Sequence, residues 1–329
     1  MALNSALMDQ INLVVRRLGY ARSTAKTYRS WCENYMIWLK QRDGKWTHPR
    51  DTAERDVTAW LEYLGNVRNV SPTSQNVALQ AVLFLFRNII GRQLQNIDAM
   101  RAKRPQRLPT FLSVPEVSRL FAELKGRDLL IGQLLYGCGL RIGEAMSLRT
   151  KDINLDDSQI VIRSAKGAKD RAVGIPRLLV DKLARQIDAA RRLHQQDVEA
   201  GTNRVELPYS YSRKSRTAAG SFAWFWLFPS HKLSRHPTEK WLGRYHIDKG
   251  NFARSLRLAA KRAQIDKPCN PHCLRHSYAT HSLNQGVDIR SLQKLLGHND
   301  VRTTMIYTHV ELAGVTSEQS PLDRLPQSA

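Results

Sequence analysis

Asn270-Pro-His-Cys-Leu-Arg-His-Ser-Tyr-Ala-Thr-His281 is the stretch from which the rest of the chain can be read. Its apolar spacing predicts a helix over 272–285. His272 and Arg275 stand three apart on that helix, so both project from one face. Helices are expected on either side, at 249–264, 288–296 and 300–309. The last part of the chain therefore reads as helices that present an imidazole and a guanidinium together.

Moving outward, four further features join this pair. Arg141 follows Gly137-Cys-Gly-Leu and precedes Ile-Gly-Glu144, where a short helix to Leu148 is expected. Lys166-Gly-Ala-Lys-Asp170 reads as a hairpin turn between short strands at 159–163 and 171–175. Gly297-His298 closes a helix striped by Ile289, Leu292, Leu295 and Leu296, with Gly in the left-handed position that ends helices. Tyr307 follows in Ile306-Tyr-Thr-His309. Each has an ordinary reading alone, as a surface cation, a turn, a helix cap or a core ring. Their order and spacing together are what carries information.

This inventory suits metal-free attack on a phosphodiester. Two guanidiniums can fork onto the non-bridging oxygens and neutralise the charge of a pentacovalent transition state. A phenol with an ordinary pKa near 10 needs a base or a positive field to become a nucleophile. A histidine can serve as that base, and a lysine on a hairpin tip can protonate the leaving oxygen. A covalent phosphotyrosine would keep the bond energy, so strands could be rejoined without ATP. No carboxylate cluster suggests Mg²⁺. Cys269 and Cys273 flank His272, but Pro271 interrupts and no second cysteine pair exists, so no zinc site is expected. No cofactor is expected.

The charge agrees. The 329 residues carry 51 Lys and Arg against 29 Asp and Glu, a formal net charge of +22. The excess is spread along the chain, with 16 basic and 8 acidic residues in 1–105 and 35 against 21 in 106–329. Two basic domains suggest a long polyanion held from two sides. Residues 1–100 read as four helices. The first carries Leu7, Ile11, Val14, Val15 and Leu18. The second is capped by Ser23 or Thr24, and the third spans 56–64. The fourth opens at Ser71-Pro72 and is apolar nearly all round, so it belongs in the middle of the bundle. Residues 101–110 are basic and Pro-containing, a linker that would let two domains close on DNA. A catalytic domain is expected over 111–311, opening with the capping box Ser113-Val-Pro-Glu116 and a helix running to Leu135. A helix follows from about 178 to 199, and 312–329 form a tail. Four cysteines, no apolar run long enough for a membrane span and no basic-then-apolar start favour the cytoplasm over secretion.

Gly-Leu-Arg141-Ile-Gly-Glu144, Lys166-Gly-Ala-Lys-Asp-Arg, His272-Cys-Leu-Arg275-His-Ser-Tyr-Ala-Thr-His, Leu-Leu-Gly-His298 and Ile-Tyr307-Thr-His-Val resemble the motifs of the tyrosine recombinases. The resemblance spans about 107–312. It implies that Arg141, Lys166, His272, Arg275 and His298 surround a scissile phosphate, that Tyr307 is the nucleophile and that Glu144 buttresses the site. It also implies a mainly α fold with a small antiparallel sheet. An N-terminal helical bundle and a catalytic domain would form a C-shaped DNA clamp, working as a synaptic homotetramer with each tail docked on a neighbour.

Residues 200–247 read as irregular, with aromatics among cations: Leu207-Pro-Tyr209, Arg213-Lys-Ser-Arg216, Phe222-Ala-Trp-Phe-Trp-Leu-Phe-Pro229, His236-Pro237 and Arg244-Tyr-His246. Such mixtures bind unstacked bases. The plainer reading is a buried strand from Trp224 to Phe228, and Phe225, Leu227 and Phe228 are expected in the core. The stretch resembles the additional segment of integron integrases, bacterial enzymes that recombine folded single-stranded hairpins with protruding bases as well as duplex sites. That resemblance implies that Trp224 stacks on one extrahelical base and that Pro237 and His246 sandwich another; from the cation-aromatic mixture itself, Arg213, Lys214 and Arg216 are expected to help bind DNA. The alternatives are a phage- or chromosome-dimer-type recombinase acting on duplex DNA, a topoisomerase-like enzyme, and a DNA-binding regulator without catalysis.

Overall fold

The structure, a computed structural model, describes residues 5–95, 109–163, 170–208, 211, 215, 217–237 and 239–308. The chain divides into two compact units, 1–107 and 108–329. The expected linker, apart from 109 and 110, and the tail at 312–329 lie outside the described residues. Among the described residues no helix is long and apolar enough to cross a membrane.

The first unit holds α1 (Ser5–Arg17), α2 (Arg22–Asp43), α3 (Glu54–Asn66) and α4 (Pro72–Leu85). Pro72 occupies the first turn of α4, and Ser71 Oγ accepts a hydrogen bond from the Ser74 amide. Ala78, Leu79 and Val82 of α4 pack with Tyr35 and Trp60, while Ala81, Phe84 and Leu85 pack with Met8, Ile11 and Val15. Apolar faces on both sides thus place α4 in the middle of the bundle. The start of α2 differs from expectation. It begins at Arg22 after Ala21, whose carbonyl accepts from both the Thr24 and Ala25 amides, so Ser23 and Thr24 lie inside the first turn and cap nothing. A longer α3 than expected follows from Asp56, whose carboxylate accepts from the Ala53 amide and extends the start.

The second unit opens with α5 (Val114–Glu123), fixed by the expected capping box: Ser113 Oγ accepts from the Glu116 amide, and Glu116 accepts from the Ser113 amide at 2.7 Å. The single helix expected to Leu135 is two, because Leu124 and Lys125 are extended and Gly126, at φ +53°, opens α6 (Gly126–Gly137). Next come α7 (Ile142–Met146), β1 (Ile153–Asn154), β2 (Gln159–Ile162), β3 (Arg171–Gly174) and α8 (Arg177–Glu199). The strands form an antiparallel sheet in the order β1-β2-β3, with Ile160 opposite Val173 and Ile162 opposite Arg171. Ile160, Ile162 and Val173 bury one face in a core shared with Leu130, Ile131, Leu134 and Leu274.

Residues 200–247 are more ordered than expected. β4 (Pro229–Arg235) and β5 (Leu242–His246) pair antiparallel, with Pro229 opposite His246 and Arg235 opposite Leu242. The strand expected from Trp224 to Phe228 is absent. A 3₁₀ turn covers Phe222–Trp224, and Trp226 makes one isolated bridge to Arg149. Phe225, Leu227 and Phe228 are fully buried, as their apolar character predicts. The remaining helices are α9 (Lys249–Arg262), α10 (Pro271–Asn284), α11 (Ile289–Leu296) and α12 (Arg302–Met305). Only one turn forms where a helix over 300–309 was expected, since Ile306 and Tyr307 already leave it. The fold is thus mainly α with two small antiparallel sheets.

Candidate active site

Arg141 sits at the N-cap of α7 with φ −72° and ψ 148°. Glu144, one turn on, accepts from the Arg141 amide at 2.8 Å and from its Nη1 at 2.8 Å. Arg171 of β3 forks onto the same carboxylate at 3.0 and 2.7 Å and donates through Nε to the Leu295 carbonyl. Burial pushes the Glu144 carboxyl up, but the hydrogen bonds from Arg171 and Arg141 outweigh it and hold the group at about 2.

Arg275 lies on α10 and is 3% exposed. Its Nη1 donates to the Gly139 carbonyl, and its Nη2 donates to the Leu296 carbonyl at 2.6 Å and to His298 Nε2 at 3.1 Å. Two glycines make this possible. Gly139 has φ +62°, and a Cβ there would meet the Tyr278 ring at 2.5 Å. Gly297, also at φ +62°, ends α11 and offers its carbonyl to Arg141 Nη2 at 3.2 Å. Burial and then Arg141 lower the Arg275 pKa to about 10, so it remains a cation at neutral pH. Arg141, Arg171 and Arg275 share one carboxylate, Arg275 at 3.8 Å from it. Three cations on one anion leave an excess positive charge, and Arg141 keeps 39% of its side chain exposed. Such a site suits an anion with forked oxygens.

His298 accepts from Arg275 through Nε2, so its ring proton is on Nδ1, which donates to Thr304 Oγ at 2.9 Å. Burial, Arg275, Arg141 and Arg171 lower it to about 4. His272 stands exposed in the first turn of α10, and partial desolvation, Arg275 and Arg141 lower its pKa. Tyr307 is 2% exposed among Ala279, Leu283, Leu292 and Leu296. Burial raises its phenol, opposed by Arg275 and Arg141. Its hydroxyl hydrogen-bonds His276 Nδ1 at 2.8 Å. Lys166 lies outside the described residues, between the described strands β2 and β3.

The structure therefore brings Arg141, Glu144, Arg275, His298 and Tyr307 into one charge-coupled group, with His272 at its edge. It adds Arg171, Thr304 and His276, which the sequence reading left without roles. Arg171 closes the Lys166 motif and His276 follows Arg275 directly, so both were in view. Among the described residues no group of three or more His, Cys, Asp or Glu could hold a metal ion. The Cys269 and Cys273 thiols lie 3.5 Å apart.

In the 200–247 region, Trp224 is half-buried. Lys151 Nζ lies 2.9 Å from its ring centroid, and the Tyr211 ring is 4.6 Å away at 32°. Arg149 supports it from below, donating to the Trp224 carbonyl at 2.7 Å and stacking on Trp226 at 3.3 Å. Pro237 and His246 are not brought together. Pro237 is exposed in the β4–β5 turn, whereas His246 is at the other end of β5, edge-on to Trp226 at 4.9 Å. Four residues of strand, about 13 Å, separate Leu242 from His246. Arg213, Lys214 and Arg216 lie outside the described residues.

Residues 110–313 match the phage integrase family, and 7–96 match the phage integrase N-terminal SAM-like domain. The chain is 39% identical over 321 residues to an integrase/recombinase of Escherichia coli, covering 97% of this chain and 94% of that protein. It is 33% identical to the tyrosine recombinase XerA of Thermococcus kodakarensis, covering 92% of this chain and 89% of XerA. Among solved structures, the Tn1549 transposon integrase with transposon right-end DNA has a TM-score of 0.59 at 15% identity, covering 94% of this chain and 99% of that one. XerH recombinase bound to a palindromic difH substrate has a TM-score of 0.58 at 19% identity, covering 94% and 84%. At these identities the two solved structures bear on the fold.

Proposed function

Because the chain belongs to the phage integrase family and is a tyrosine-type site-specific DNA recombinase, we propose that its charge-coupled group is the cleavage centre and that its substrates include folded single-stranded hairpins. The observation that carries the first part is the sharing of one carboxylate by three guanidiniums, two of which, Arg275 and Arg141, act on the Tyr307 phenol. Arg141 and Arg275 grip the non-bridging oxygens of the scissile phosphate, with His272 and His298 alongside. Tyr307 Oη attacks phosphorus, and the bond to the 5′ oxygen breaks. Its electron pair leaves with that oxygen, which takes a proton from Lys166. A 3′-phosphotyrosine and a free 5′-hydroxyl result. Attack by a partner strand's 5′-hydroxyl reverses the step, so no ATP is consumed.

The hairpin reading rests on Trp224, a half-buried indole on a supported turn with a cation against its face. Stacking on such a ring holds a protruding base regardless of its identity. Pro237 and His246 do not form the expected sandwich, because the β4–β5 register holds them at opposite ends of the hairpin. A Xer-type reading, for which duplex sites alone are expected, is supported equally by the likeness to XerA. On either reading the 1–100 bundle, the 101–110 linker and the 111–311 catalytic domain hold DNA. Four copies assemble through their 312–329 tails, in the bacterial cytoplasm and on the nucleoid.

Covalent capture separates these readings. The protein is mixed with end-labelled oligonucleotide pools, hairpins with unpaired bases and matched duplexes, each randomised around a nick that lets the cleaved fragment leave. Label retained on denatured protein from the hairpin pool, and lost in Tyr307→Phe, is the expected result. Label from duplexes alone would keep the recombinase and discard the hairpin. Label retained by Tyr307→Phe, or none with the wild-type chain, would overturn the cleavage centre.

A further inference from the structure

The Tyr307 hydroxyl must lose its proton as it attacks, and His276 bonds it while His272 and His298 interact with His276. They differ in what their ring nitrogens already do. His298 has both committed, Nε2 to Arg275 and Nδ1 to Thr304. His272 is exposed at the start of α10, its ring 6.4 Å from that of His276. His276 is half-buried and hydrogen-bonds the phenol through Nδ1 at 2.8 Å, with ring centroids 5.6 Å apart. A phenol that donates this bond requires Nδ1 to be unprotonated, with the ring proton on Nε2.

We propose that His276 is a catalytic residue, whose Nδ1 takes the Tyr307 proton as the phenolic oxygen bonds to phosphorus. This rests on the cleavage reading above. The step balances with the acid assigned in the cleavage reading. The phosphorus–tyrosine bond forms, the bond to the 5′ oxygen breaks with its electron pair leaving on that oxygen, and the leaving oxygen is protonated by Lys166. The Tyr307 proton resides on His276 while the phosphotyrosine persists. In rejoining, the incoming 5′-hydroxyl returns its proton to Lys166 as it displaces tyrosine, and the departing phenolate recovers the proton from His276.

The charges around His276 fit this cycle. His272 and Arg275 face it from its own helix, Tyr307 from the segment after α12, and His298 from the end of α11, with Arg141 next to Tyr307. Burial, His272 and Arg275 lower His276 to about 4, so it is a neutral acceptor at physiological pH. A phosphodiester placed between Arg141 and Arg275 adds a negative charge, which favours an imidazolium at His276. Proton acceptance is thereby tied to the presence of DNA.

The test uses the full chain and the oligonucleotide that the wild-type protein captures covalently. His276→Asn keeps an acceptor near the Nδ1 position but cannot take up the proton. Single-turnover cleavage is measured against DNA concentration from pH 6.5 to 9.5. The expected result is an unchanged half-saturating DNA concentration with cleavage slowed at least 100-fold at pH 7, on the order typical of general base removal. The deficit should shrink as pH rises, because the phenol then ionises without help. Fluorotyrosine at position 307, a more acidic phenol, should restore His276→Asn more than it alters wild type. Cleavage within threefold of wild type at pH 7, or a deficit independent of pH and of fluorotyrosine, would overturn the proposal. His276→Gln is the second variant. If both variants lose DNA binding, His276 is structural and the proposal falls. If the wild-type chain captures no DNA through Tyr307, the parent reading fails first and takes this one with it.

Discussion

Arg171 holds both oxygens of Glu144, at 3.0 and 2.7 Å, from a strand 27 residues further along the chain. Through Glu144 it also fixes Arg141, whose amide and guanidinium bond the same carboxylate. Arg171 opens β3, directly after the loop that carries Lys166. The placement of Arg141 thus depends, through Glu144, on a guanidinium whose other bond goes to the Leu295 carbonyl.

Arg171→Lys is expected to keep the charge and lose the fork, because an ammonium cannot serve both oxygens and the Leu295 carbonyl at once. We expect a loss of about 2 kcal/mol in urea unfolding, below the roughly 3–5 kcal/mol for removing one partner of a buried pair, because the charge is kept. DNA cleavage should fall by tenfold or more. Unfolding and cleavage both within error of wild type would contradict the role.

Acid should destabilise the second unit in two stages. His276 and His298 lie at about 4 in the folded chain against an ordinary value of 6.5. The unfolded chain therefore binds their protons first as pH falls. Their contribution is complete above about 6.5 and is lost between about 6.5 and 4. Glu144, at about 2 against 4.5, contributes fully above about 4.5 and loses its contribution as pH falls toward 2. Urea midpoints from pH 4.5 to 8 should show the first slope. His298→Gln should flatten part of it, and an unchanged slope would count against a neutral buried His298.

Trp224→Ala should weaken hairpin capture by about 5- to 150-fold, equivalent to the roughly 1–3 kcal/mol of one base–aromatic stack. Trp224→Phe should recover part of the loss, and duplex capture should change by less than threefold. Equal losses on hairpin and duplex would make Trp224 a structural residue.

The catalytic order was legible because each member sits beside a strong local signal. Arg141 follows a glycine turn, Arg275 shares a helix face with His272, and His298 follows a left-handed glycine. What remained hidden depends on partners distant in sequence. Nothing near Arg171 announces that Glu144 is its acceptor. His276 gains meaning from a phenol 31 residues away. The β4–β5 hairpin escaped because Ser230 to Arg235 are mostly exposed and lack the alternation that marks a half-buried strand. Gly126 was visible in the helix expected to Leu135, and its positive φ restarts the chain as α6 after the extended Leu124 and Lys125.

Arg275 also anchors the polypeptide. Its guanidinium closes the carbonyls of Gly139 and Leu296, and it is 3% exposed. A substitution there opens buried acceptors in two separate segments, so a lineage that abandons DNA cleavage cannot easily begin by losing this residue. Tyr307 offers a gentler route, since Phe would fill the same apolar cluster and give up one hydrogen bond. A silent descendant that still folds and still grips DNA should therefore be sought by a missing nucleophile behind an intact arginine.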